Sequence, residues 1–357
     1  MSAYHQSPLF NDPELNPVPF PSTRYQGSKR KLADWIWENV RHLPFDSVLD
    51  VFGGTGVVSH RFKLAGKQVT YNDKLMFNWN IGLGLIQNSS VNLKVDDVDT
   101  VLRVQKDVIY PTFIQDTFKD IYFYDDENAW LDRAIYNIDH FIHDPYKQSL
   151  ARFALFQSCI AKRPYNLFHR ANLYMRSANV ERSFGNKSTW DTPFEKHFRV
   201  FVGEANAAVF DNHRHNEAIN VDAFETPTGA DLVYLDPPYL NSEGKGLDYR
   251  DFYHFLEGMM SYNSWSSKVD YKSKHKRLIP EQSIWLQPKT ITQAFESIID
   301  RHRSSVVVIS YRDDGIPSKN DLVKMLRQYK QTVECVTQSQ KYVLSHRTSH
   351  ELLLIAY

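Results

Sequence analysis

Cysteine is nearly missing from this 357-residue chain. Cys159 and Cys335 stand far apart, without disulfide or metal-ligand spacing, which excludes a stapled scaffold or a thiolate zinc site. Such usage fits a reducing, cytoplasmic setting. Long apolar runs are missing as well. The longest, "VVVI" and "LLLIAY", are strand-sized, whereas a membrane helix needs about 20 residues. Neither sign of charge dominates: 42 Lys and Arg balance 42 Asp and Glu. No global field draws a polyanion, so nucleic-acid binding has to rest on a local basic surface. There is no internal repeat or low-complexity tract. The start of the chain lacks a basic-then-apolar signal pattern. It is polar and proline-rich, which predicts an extended arm over residues 1–23.

What is present reads as a globular domain with a large core: 42% hydrophobic, 24% charged and 14% aromatic residues. "SKRKLADWIWENVRHL" (28–43) has helical periodicity, with Ser28 as the expected N-cap. "SVLDVF" (47–52), "GGTG", a helix to about Ala65 and "QVTYND" (68–73) make a strand–turn–helix–strand unit, hence a parallel sheet. Apolar runs recur in "DLVYLD", "SVVVISY" and "ELLLIAY", as expected of strands covered by helices on both faces. Between about 95 and 215 this rhythm is lost and helices are expected. The fold class is α/β, a doubly wound and mostly parallel sheet with an inserted, largely helical region. The expected organisation is an arm (1–23), a main domain (24–95 and 216–357) and an insertion (96–215).

Three stretches carry chemistry. In "DVFGGTG" (50–56), glycines between strand and helix let backbone N–H groups approach a ligand closely. Asp73 ends the next strand, where a carboxylate can hold ribose hydroxyls. A nicotinamide fingerprint would require a third glycine at position 59, which is Ser59. The same turn would also serve as a plain strand–helix junction. "RYQGSK" (24–29) places Tyr25 and Lys29 at the mouth of a helix; Lys29 is suited to meet a carboxylate. "DPPY" (236–239) closes an apolar strand with two prolines, which have no donor to continue a ladder and stiffen the corner.

Together, in this order and with a long insertion before "DPPY", the three stretches resemble the S-adenosylmethionine-dependent DNA adenine-N6 methyltransferases. The resemblance runs from Arg24 to Tyr357 and is weakest over 95–160 and 241–290. It implies that S-adenosylmethionine is held by Asp50, Phe52, Gly53, Gly54 and Gly56, with Asp73 on its ribose. Asp222 and Phe224 would bond and stack its adenine, although Val221 replaces the glycine usual before them. Tyr25 and Lys29 would complete that site; Tyr249 and Phe252 would pack near it. Asp236, the Pro237 carbonyl and Tyr239 would form the catalytic corner. Two acceptors aimed at the adenine amino group turn its delocalised lone pair toward a sulfonium methyl, while Tyr239 stacks on a base flipped out of double-stranded DNA. No metal is required.

"AKRPYNLFHRANLYMRSANVERSFGNKSTW" (161–190) interleaves Arg163, Arg170, Arg176, Arg182 and Lys187 with aromatics, a composition suited to phosphates and bases. Its position resembles the family's target-recognition region. A second run, "SSKVDYKSKHKR", offers Lys272, Lys274 and Lys276, either for phosphate contact or as a solvated face. The expected function is site-specific DNA methylation in a restriction-modification or DNA-marking system, with a cognate endonuclease as a further partner and no membrane. N4-cytosine methylation, RNA adenine methylation and a non-catalytic DNA-binding module are the alternatives.

Overall fold

A computed structural model of the chain describes residues 18–178, 187–340 and 349–357. A short 3₁₀ turn (Lys29–Lys31) leads into α1 (Ala33–Val40). Ser28 makes no capping bond, contrary to expectation; its hydroxyl lies 3.5 Å from that of Thr55. Next come β1 (Ser47–Asp50), α2 (Val57–Leu64), β2 (Gln68–Asn72) and α3 (Met76–Gly82). Seven helices follow: α4 (Val95–Leu102), α5 (Phe113–Thr117), α6 (Asp125–Phe141), α7 (Pro145–Ala161), α8 (Tyr174–Ser177), α9 (Lys187–Asp191) and α10 (Phe194–Ala208). Among the described residues of 95–208 the regular elements are thus all helical, where the α/β rhythm stops.

The sheet then resumes with β3 (Glu217–Ile219), β4 (Leu232–Leu235) and β5 (Leu240–Asn241). Two short helices follow, α11 (Tyr249–Phe252) and α12 (His254–Met260), separated at Tyr253. The remainder is α13 (Ile291–Arg301), β6 (Val306–Arg312), β7 (Gly315–Ile316), α14 (Lys319–Leu326), β8 (Val333–Gln340) and β9 (Ser349–Ala356).

Seven strands form one sheet in the order β3-β2-β1-β4-β6-β9-β8. The first five run parallel, and β9 is antiparallel to both of its neighbours. Alternation along each strand divides the core between two faces. Val48, Leu232, Tyr234 and Val308 pack with helix residues Ile36, Val40 and Phe62, while Leu49, Val233, Leu235 and Val307 pack with Phe295, Ile298 and Leu322. Helices therefore cover both sides, the doubly wound α/β arrangement anticipated from the buried apolar runs. The helical layer has its own core, which Phe77 of α3 and Phe255 and Leu256 of α12 share. Among the described residues no helix is long and apolar enough to cross a membrane.

The topology fixes where a ligand can enter. From β1 the chain runs outward through β2 and β3, then returns to β4 on the other side of β1. Crossovers leave in opposite directions there, so the carboxyl ends of β1 and β4 open into a crevice.

Candidate active site

A cavity of about 1010 Å³ fills that crevice. Its floor is the turn after β1. Gly54 and Gly56 have φ of +52° and +77°, a region that disfavours other residues. Gly53 is needed for a different reason: a Cβ there would lie 2.0 Å from the Tyr71 ring. Tyr71 locks the turn from behind, its hydroxyl donating to the carbonyls of Gly54 (2.7 Å) and Asn78 (3.0 Å).

Asp73 closes the turn from the end of β2. It accepts bonds from the N–H groups of Gly54 (2.9 Å) and Leu75 (2.8 Å) and from Asn78 Nδ2 (3.1 Å). Burial pushes its carboxyl up to about 6, although these three donors work against the rise. Asp50 is buried at the end of β1. Ser59 Oγ donates to its Oδ2 at 2.6 Å, while its buried Oδ1 has no partner. Burial raises Asp50 to about 7, partly offset by the Ser59 bond and reinforced by the charges of Asp236 and Asp73. An orphaned carboxylate oxygen inside a cavity is a natural seat for a ligand cation.

Farther along the cavity, Phe224 and Trp285 stack nearly parallel, 5.7 Å apart and 5° from coplanar orientation; Phe52 meets Trp285 edge-on at 5.0 Å. Asp222 accepts from the Phe224 N–H at 3.2 Å and pairs with Lys74 at 2.8 Å. Tyr25 lies between Tyr253 (4.5 Å) and Tyr249 (5.6 Å) in a stack of three rings. Tyr249 lines the cavity as expected, whereas Phe252 instead stacks on His169 at 4.6 Å.

The proline corner forms the opposite wall. Asp236, Pro237, Pro238 and Tyr239 all line the cavity, immediately beyond β4. Lys29 is buried, its Nζ 3.2 Å from Asp236 Oδ1 and 2.5 Å from Glu351 Oε1. Lys29 lines the cavity it was expected to complete, and the carboxylate it meets there is the acid of the corner. Burial drives the Asp236 pKa above the ordinary carboxylate range, with Lys29 opposing and Glu351 adding to the rise. The Tyr239 ring has two cations near it, Lys29 Nζ at 5.7 Å and the Arg312 guanidinium at 5.4 Å.

The residues anticipated for DNA do not behave alike. Arg163 and Arg176 are buried and turned inward, which corrects their assignment to phosphate. Arg163 donates to the carbonyls of Leu167 (3.0 Å) and Arg170 (2.9 Å) and lies over the Tyr122 ring. Arg176 forms a two-pronged bond to Glu127 (2.6 and 2.8 Å). Arg170 and Lys187 are exposed, the latter paired with Asp191 at 2.5 Å. Lys272 and Lys274 are exposed, while Lys276 is half-buried and donates to the Tyr271 carbonyl at 2.7 Å. Arg182 lies outside the described residues.

Several participants were not anticipated. Trp285 sits in an irregular stretch that has no period to reveal its direction. Glu257 accepts from the Met76 (3.1 Å) and Phe77 (3.1 Å) N–H groups, tying α12 to the start of α3. Glu351 does carry a local signal, a carboxylate opening the apolar run "ELLLIAY".

Residues 25–308 match the family model of the D12 class N6 adenine-specific DNA methyltransferases. Type II methyltransferase M2.HphI of Haemophilus parahaemolyticus is 29% identical over 87% of this chain and 89% of its own length. Type II methyltransferase M.CviAII of Paramecium bursaria Chlorella virus 1 is 25% identical, covering 85% and 88%. Type II methyltransferase M.NlaIII of Neisseria lactamica is 23% identical, covering 85% and 88%.

Proposed function

The chain belongs to the D12 class N6 adenine-specific DNA methyltransferase family, and from that premise we propose how its cavity carries out the reaction and which residues act. S-adenosylmethionine, the proposed donor, supplies an electrophilic sulfonium methyl. The residues present suit it. The orphaned Asp50 Oδ1 would receive its ammonium group, the Phe52–Gly56 turn its methionine portion, and Asp73 its ribose. Phe224 and Trp285 provide an aromatic wall for its adenine, beside Asp222, and Tyr25 bounds the other end.

The target adenine would enter flipped out of the duplex, because its amino group is not reachable in the stack. Asp236 and the Pro237 carbonyl accept its two N–H bonds and direct the nitrogen lone pair into the cavity. Tyr239 stacks on the base. Two successive prolines prevent both acceptors from drifting, so the polar groups are organised before the substrate arrives.

In the proposed division of labour, residues 24–95 and 216–357 form the catalytic domain. The helical insertion (96–215) is the target-recognition region, with Arg170 and Lys187 on its exposed side; the arm expected over residues 1–23 lies outside the described residues up to position 17. Lys272 and Lys274 are the candidates for phosphate contact from the second basic run. Arg163 and Arg176 brace this surface from beneath. The type II relatives support a place in a restriction-modification system, with a cognate endonuclease as partner in the cytoplasm.

The observation that carries this reading is the convergence of Asp50, Asp73 and Asp236 on one cavity at the switch point. Tritiated methyl transfer to double-stranded DNA, followed by nucleoside chromatography, tests it. N6-methyladenine is expected; label in cytosine, or only in RNA, would overturn it.

A further inference from the structure

Lys29, Asp236 and Glu351 come from three distant stretches, and the ammonium lies between the two carboxylates. The shorter contact, 2.5 Å, is to Glu351; the longer, 3.2 Å, is to Asp236. Glu351 is completely buried on β9, and Ser310 of β6 donates to the same Oε1 at 2.7 Å. The Asp236 side chain is 17% exposed and faces the cavity. The ammonium is therefore held more closely by the carboxylate that no substrate can reach. Lys29 and Asp236 alone would form a neutral pair. Burying a second acid beside them carries a desolvation penalty that pair formation alone does not require.

We propose that Glu351 is a positioning residue for methyl transfer: it draws the Lys29 ammonium onto its own carboxylate, so that Asp236 stays oriented yet open to the target amine. This rests on the reading of Asp236 as acceptor given above. A closed Lys29–Asp236 pair would be a resting contact that the adenine had to break. With Glu351 present, Lys29 keeps a 3.2 Å contact that aims Asp236, longer and looser than its 2.5 Å contact to Glu351.

In the step it serves, the N6–carbon bond forms as the carbon–sulfur bond breaks, the electron pair leaving with sulfur. One N6 proton then passes to the Asp236 carboxylate and on to water. Sharing one cation between two acids favours that acceptance. Burial raises Asp236, Lys29 opposes the rise and Glu351 adds to it. For Lys29 burial disfavours the charge, but Asp236 and Glu351 together outweigh it and keep the ammonium charged. The other groups that face the pair are the Tyr239 ring, the phenols of Tyr234 and Tyr249, which burial keeps protonated, and Asp50 across the cavity.

Glu351→Gln keeps the shape and can still accept the Ser310 bond, but removes the charge. In single-turnover methyl transfer to duplex DNA, the expected result is a plateau rate lowered about tenfold or more, with donor affinity within about twofold. The acid limb of the rate–pH profile should move down by about one pH unit, because Asp236 then has the cation to itself. Glu351→Asp should return the limb toward the wild-type position. A variant with wild-type rate and limb would overturn the proposal. So would a lowered rate with an unmoved limb, the mark of a merely structural role. If Glu351→Gln does not fold, Ser310→Ala carries the test, since it removes only the hydroxyl that orients Glu351. A rate loss of about threefold or more with unchanged donor affinity supports the proposal, and an unchanged rate overturns it. Failure of the underlying reading looks different: the wild-type enzyme would form no N6-methyladenine, or Asp236→Asn would keep full activity.

Discussion

Tyr71 is gripped between two glycines: a Cβ on Gly53 would lie 2.0 Å from its ring, and one on Gly82 would lie 2.3 Å from it. The ring props the ligand turn from β2 while its hydroxyl holds the Gly54 carbonyl. Gly53→Ala must displace either the ring or the turn. We expect a loss of about 3 kcal/mol in stability and of measurable donor binding, checked by thermal melting and calorimetric titration. A variant with wild-type donor affinity would show that the turn does not form the site.

Asp236→Ala separates chemistry from binding. Methyl transfer should fall about a thousandfold or more, since a preorganised acceptor is removed. Donor affinity should stay within a few-fold, because the donor's proposed partners lie on the other side of the cavity. Single-turnover kinetics and equilibrium binding check the two halves separately.

The Phe224–Trp285 wall is the proposed seat of the donor's adenine. Trp285→Ala should weaken donor binding about tenfold, the scale of one lost aromatic contact. The wild-type protein should also change its tryptophan fluorescence on titration with S-adenosylhomocysteine. Full affinity in the variant would move the adenine elsewhere.

Basic residues divide by exposure. Replacing Arg170, Lys272 and Lys274 by alanine should lower DNA affinity and reduce the salt slope by about two to three. Arg163→Ala should leave that slope unchanged and cost about 3 kcal/mol in stability, because the buried carbonyls of Leu167 and Tyr122 and the partly buried one of Arg170 lose their donor. Salt-titrated binding and melting distinguish the two groups.

Asp50 gives a pH test with a definite sign. Burial raises its pKa to about 7 in the folded protein, against an ordinary carboxylate value in the unfolded chain. Its favourable contribution is complete below the unfolded value, about pH 4, and is lost as pH rises through about 7. The ligand-free protein should therefore lose stability across that window. Asp50→Asn should flatten the slope and exceed the wild type by about 2 kcal/mol at pH 8. Melting across pH measures both.

The central strands and the glycine turn were legible because their signals are local. A strand buried on both faces reads as an unbroken apolar run, and Gly54 and Gly56 mark a backbone that other residues resist. "DPPY" was legible for the same reason, since two prolines limit their own geometry. What escaped was long-range. An arginine among aromatics looks the same in sequence whether it faces DNA, as Arg170 can, or a buried carbonyl, as Arg163 does. Lys29 was recognised as a partner for a carboxylate, but only the tertiary fold chooses Asp236 and Glu351. Ser28 failed as a cap because a 3₁₀ turn intervenes before α1.

The Lys29–Glu351 contact joins positions 322 residues apart, through a strand that docks between β6 and β8. A partly assembled sheet that has aligned β1, β2 and β4 would hold the donor turn and the proline corner, yet leave the lysine without its second acid. Catalytic competence therefore requires β9 in place as well as the parallel half of the sheet. Genome marking would begin only once both margins of the protein have closed on each other.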